Sequence, residues 1–208
     1  MCKKVKIYGA AGHFTSGRCD AHADSDILMS DACQSIDFRY GGFHLNWVNY
    51  TAVALSAISP DPKTDRLRVI VGPFKEEASY DWRTNTLKLK AWSYGASVFG
   101  EKGTLVHECT HAAIDQQGSP KTISRVDNEI LAYVAEALFV RLSGSVILPG
   151  SDPTALAAQV VANKIKDTPG SSLSSDDAAA LAQALKNDHP YAYLKKRLVT
   201  DTNDGIPF

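Results

Sequence analysis

The chain alternates between segments with a 3.6-residue apolar period and short β-branched runs, and this pattern predicts its elements. "LNWVNYTAVALSAIS" (45–59) has helix length and spacing, with Trp47, Val48, Ala54, Leu55 and Ile58 available for a core. After the turn "DPKTD", "RLRVIVGPF" (66–74) carries the β-branched enrichment of a strand. "TNTLKLK" (84–90) sets Leu87 and Leu89 against Lys88 and Lys90, as a half-exposed edge strand with a charged outer side would. "GTLVHECTHAAIDQQ" reads as a helix opened by Gly103 or Thr104, running to Gln117 and stopped at Gly118. A loop with Gly118 and Pro120 leads to "SRVDNEILAYVAEALFVRLSG", a second helix. Ser124 and Asp127 there form a shortened capping box, and the helix ends at about Leu142, before Gly144. Ile130, Leu131, Val134, Leu138 and Leu142 are its apolar side. Two Ala-rich helices follow, one with Pro153 in its first turn and one opened by "SSDD". The fold class is α+β.

The motif helix has a buried side of Leu105, Val106, Cys109, Ala112 and Ala113, and a chemically unusual polar side. His107 and His111 are four apart, so both imidazoles aim at one point, and Glu108 lies beside them. Asp115 continues the stripe one turn on. With six His among 208 residues, H-E-x-x-H arises by chance in roughly half a percent of such chains. A hydrolytic zinc site needs three protein ligands and one open position. The second helix supplies candidates: Glu129, Tyr133 and Glu136 line up at i, i+4 and i+7. Glu129, in the first turns and nearest the short connection, is the choice for third ligand. Glu136, about two turns or ~10 Å further on, is the alternative, or a group acting behind the ligands.

H-E-x-x-H followed by "NEILAY" on a second helix resembles the zincin metallopeptidases of the gluzincin type, over residues 45–143. The resemblance implies His107, His111 and Glu129 as Zn²⁺ ligands, Glu108 as general base and Asp115 as a helper. It also implies a small mixed sheet with an edge strand over a cleft, where an extended peptide pairs with the backbone. Tyr133 stands four after Glu129, where some members carry Asp; it reads as packing against the motif helix, with oxyanion donation or support for Glu129 as its candidate site roles. No H-x-x-G-x-x-H extension follows His111, which excludes a metzincin. The implied activity is zinc-dependent hydrolysis of a peptide or amide bond, with a peptide or protein as substrate. Two alternatives stand beside it: a catalytically inactive, zinc-stabilised binding module, and a delivered toxin or effector whose hydrolase activity attacks one target.

Composition adds limits. A chain of 208 residues, 44% hydrophobic, supports one solid core. Its organisation reads as an N-terminal accessory region (1–44), the catalytic core (45–143) and a helical C-terminal region (144–208) packed on that core. A net charge of −1 offers no pull towards nucleic acid or anionic membrane. No apolar run reaches transmembrane length, and Lys6 interrupts the N-terminal one, so the expectation is the cytoplasm or export without a cleaved signal peptide. Cys2, Cys19, Cys33 and Cys109 lack C-x-x-C spacing and read as independent thiols, with a Cys19–Cys33 bridge or a Cys19–His22–Cys33 metal site as minor alternatives. His189, Tyr191 and Tyr193 follow the last helix as candidate donors that nothing in the sequence places.

Overall fold

In the computed structural model, the described residues are 26–58, 67–90, 99–117, 123–147, 152–187 and 200–201. A short helix, α1 (Asp31–Gln34), leads into the hairpin of β1 (Phe38–Tyr40) and β2 (Phe43–Leu45). The hairpin turns on Gly41 and Gly42, at φ 60° and 84°, the left-handed pair that a two-residue turn between twisted strands requires. Next comes α2 (Trp47–Ile58), followed by β3 (Arg68–Gly72), β4 (Ala78–Asp81) and β5 (Thr86–Lys90). Two long helices come after the sheet: α3 (Phe99–Gln116), which carries the histidines, and α4 (Arg125–Leu142). The chain continues through α5 (Pro153–Ile165), β7 (Ser171–Ser172) and α6 (Ser175–Asn187). The two-residue strands β6 (Ile123–Ser124) and β8 (Thr200–Asp201) pair antiparallel.

The architecture is mixed α+β, with small sheets set against helices. The second helix is capped as expected: Ser124 Oγ accepts from the Asp127 amide at 3.0 Å and donates to its carboxylate at 2.6 Å. Ile130, Leu131, Val134 and Leu138 are buried, but so are Ala132, Tyr133, Ala135, Ala137, Phe139 and Val140. α4 is therefore a central helix, enclosed by α3, α5 and α6 rather than lying amphipathically on a surface.

Four expectations change. The motif helix begins at Phe99, so Gly103 lies within it rather than opening it. A glycine there costs about 1 kcal/mol relative to alanine, and the reason is steric. A Cβ at position 103 would lie 3.3 Å from Glu136 Cγ and 3.4 Å from Val140 Cγ2, so glycine lets α3 and α4 approach closely. Second, of the core residues expected on α2 only Ala54 is buried. The helix buries Tyr50, Val53 and Ala54, whereas Trp47, Val48, Leu55 and Ile58 are exposed. The Tyr50 hydroxyl lies 2.9 Å from Thr110 Oγ1 in the α2–α3 contact, and both residues are buried.

Third, β5 is the middle strand of its sheet, in the order β3–β5–β4, parallel to β3 and antiparallel to β4. The Leu87 and Leu89 face is buried as expected. Lys88 and Lys90 are met by Asp81 and Glu77 rather than standing on a free edge. The edges belong to β3 and to β4, a strand the sequence pattern did not announce. Fourth, the boundary drawn at residue 44 falls inside β2, and β7 from the C-terminal region pairs in parallel with β1. One hydrophobic cluster runs from Ile27 to Leu185. Among the described residues, no helix is long and apolar enough to cross a membrane.

Candidate metal centre

The site lies where α3 packs on α4, the most extensive helix–helix contact among the described residues. The 3.6-residue period puts His107 and His111 on the α3 face turned to α4, with ring centroids 5.0 Å apart. Glu129, in the second turn of α4, comes between them. Its Oε2 is 3.4 Å from His107 Nε2 and 3.9 Å from His111 Nε2. The three residues offer ligand atoms that all lie within 4.8 Å of one another. Ligands bonded at 2.0–2.2 Å to a tetrahedral ion stand about 3.3–3.6 Å apart. The observed set is thus close to the size of a coordination shell.

The other ring nitrogens explain the orientation. His107 Nδ1 is 3.1 Å from Glu136 Oε2, and His111 Nδ1 is 2.8 Å from Asn128 Oδ1. A carboxylate and an amide oxygen only accept, so each Nδ1 carries the proton and donates it. In the neutral rings this tautomer leaves both Nε2 lone pairs facing the Glu129 carboxylate. Three ligand-type atoms then converge on one point, which a proton on His107 Nε2 or a metal ion can occupy. Burial acts most strongly on the His107 imidazolium and disfavours it. Hydrogen bonds to Glu129 and Glu136 and the charges of Glu136 and Glu108 outweigh that burial and hold its pKa well above the usual value. The donor set, two nitrogens and one carboxylate oxygen, suits zinc and is shared with other divalent ions, ferrous iron among them.

Glu108 points to the opposite element. Its Oε2 accepts the Tyr80 backbone N–H of β4 at 2.7 Å. Lys90 N donates to Glu77 O, so Glu77 forms a hydrogen-bonded pair with Lys90 across the strands, and the alternation leaves the Ala78 and Tyr80 backbone groups on the outer edge of β4. That edge therefore faces the motif helix. Tyr80 makes a second link, its hydroxyl lying 2.7 Å from Asp115 Oδ2 and 2.9 Å from Asn85 Oδ1.

Asp115 is 3% exposed and belongs to this strand contact. The groups beside the two histidine Nδ1 atoms are Glu136 and Asn128. Tyr133 packs against the motif helix. Its ring meets His107 edge-on at 4.8 Å, and its hydroxyl donates to Asp152 Oδ2 at 2.8 Å. Asp152 in turn caps α5 through the Thr154 amide. Tyr133 therefore braces His107 against α5, and its committed proton leaves the oxyanion-donor role unsupported.

Tyr80, Asn128 and Gly103 were missed by the sequence reading. Asn128 stands next to Glu129 and could have been found from its position. Tyr80 is 28 residues from Glu108, and no local pattern connects them. Cys33 and Cys109 are both buried, and burial pushes the Cys33 pKa far up. Cys19, His22, His189, Tyr191 and Tyr193 lie outside the described residues. Comparison of the chain with protein-family models, with curated proteins and with solved structures finds no match in any of the three.

Proposed function

We propose that the chain is a zinc-dependent metallopeptidase of gluzincin type, with His107, His111 and Glu129 as the ligands and Glu108 as the general base. One observation carries the reading: the Nε2 atoms of two histidines and one carboxylate oxygen lie within 4.8 Å of one another, while each Nδ1 faces a side-chain oxygen behind it. Zinc in that position supplies a Lewis acid for a substrate carbonyl and lowers the pKa of water to near neutrality. Glu108 takes a proton from the attacking water on a carboxylate oxygen and returns it to the leaving amine. The outer edge of β4, turned towards Glu108, offers backbone groups to an extended peptide or protein substrate.

One observation favours the binding-module alternative: Glu108 Oε2 is already engaged by Tyr80 N–H. Glu108→Gln separates the two readings, because it keeps the shape and the ligands and removes the base. Elemental analysis of the purified protein is expected to give about one zinc per chain, removed by a strong chelator and by His107→Ala. The Gln variant should keep its zinc and lose ~10²–10⁴-fold in peptide hydrolysis. A protein that takes up no transition metal, even with zinc supplied, would end the reading. An unchanged rate in the Gln variant would remove Glu108 from the mechanism.

A further inference from the structure

We propose that Glu136 is the positioning residue for His107, and that Gly103 is the notch in the motif helix that seats it. The inference rests on the metal-centre reading and goes beyond it in making the Glu136–His107 contact depend on the missing side chain at Gly103. Glu136 Oε2 is 3.1 Å from Nδ1 of His107, while Glu129 Oε2 is 3.4 Å from Nε2 of the same ring. Seven residues apart, the two glutamates occupy one face of α4 and bracket a single imidazole from its two ends. Glu136 is thus placed against the wrong nitrogen to share the ion.

The notch has its own evidence. Gly103 sits one helical turn before His107 on the same face of α3. A Cβ there would lie 3.3 Å from Glu136 Cγ and 3.4 Å from its Oε1. The contact to Cγ is tighter than ordinary van der Waals contact, so a side chain at 103 shifts the Glu136 side chain by a few tenths of an ångström beneath the ring. The backbone at 103 is ordinary helix, so the glycine serves space rather than conformation. The two histidines are also held unequally. His111 has a neutral amide behind it and His107 a carboxylate. A charged acceptor makes the ring the more basic ligand, which raises metal affinity as well as fixing the tautomer.

The test compares full-length wild type with Glu136→Gln, Glu136→Ala, Gly103→Ala and the double variant Gly103→Ala/Glu136→Ala. Each is titrated with Zn²⁺ against a competing chelator, and the visible spectrum is recorded after loading with Co²⁺. Near-UV circular dichroism establishes that each is folded. Glu136→Gln should still bind one ion at saturation, with ~10–100-fold lower affinity and a shifted Co²⁺ band. Gly103→Ala should also weaken binding. In the Glu136→Ala background, however, the added methyl should cost nothing further, because the carboxylate it displaces has gone. An equal loss in both backgrounds overturns the notch. Wild-type affinity and spectrum in Glu136→Gln overturn the positioning role, and this arm decides even if the Gly103 variants do not fold. Abolished binding in Glu136→Gln, with Glu129→Gln retaining metal, makes Glu136 a ligand instead. Wild type that binds no metal fails at the earlier step, and is recognised by that.

Discussion

Tyr80→Phe tests the link between the sheet edge and the motif helix without touching a proposed ligand. The substitution keeps the ring and the backbone N–H that meets Glu108, and deletes only the hydroxyl. Lost with it is a 2.7 Å hydrogen bond to Asp115, a carboxylate 3% exposed, together with the 2.9 Å approach to Asn85. A hydrogen bond to a charged group contributes about 1.5–3 kcal/mol, and burial of the acceptor argues for the middle of that range or above. A loss near 2 kcal/mol lowers the Tm of a chain this size by about 4–8 °C. Urea unfolding at neutral pH, with excess chelator to remove any contribution from bound zinc, gives the free energy directly. Asp115→Asn completes a cycle with Tyr80→Phe, and the two should couple by about 0.5–3 kcal/mol because they remove ends of one interaction. Tyr80→Phe within ~0.5 kcal/mol of wild type, or strict additivity with Asp115→Asn, would refute the argument that this contact holds β4 to α3.

Glu129→Ala should weaken zinc by far more than the ~10–100-fold typical of a residue behind the ligands, and a chelator-competition titration showing wild-type affinity would remove Glu129 from the shell. The pH dependence of stability has a definite sign on the alkaline side. Burial raises the pKa of Cys33 above its ordinary 9.0 and that of Tyr50 above 10.0, so folding favours the protonated, neutral forms. Their contribution is complete below the unfolded pKa and declines as pH rises above it, by at most ~1.4 kcal/mol per pH unit for each proton. Unfolding free energies measured in reductant between about pH 8 and 10 should therefore fall less steeply for Cys33→Ala than for wild type. Parallel curves would show that Cys33 is not the group responsible.

Much of the site was legible because it is written in local periods. Residues four apart share a helix face wherever the helix sits, so His107 and His111 had to converge once α3 formed. Caps are equally local, and Ser124 with Asp127 starts α4 where the sequence places it. Leu87 and Leu89 face inward by the two-residue period of a strand. What local periods leave open is which of two competing surfaces meets a partner. α2 has one apolar set in Tyr50, Val53 and Ala54 and another in Trp47, Val48, Leu55 and Ile58, and only packing on α3 decides that the first is buried. The edge or middle place of β5 depends on β4, whose pairing is a tertiary event. Glu129 and Glu136 share one helix face and are chemically identical. The depth at which α4 lies against α3, permitted by the missing side chain at Gly103, puts one against Nε2 of His107 and the other against Nδ1.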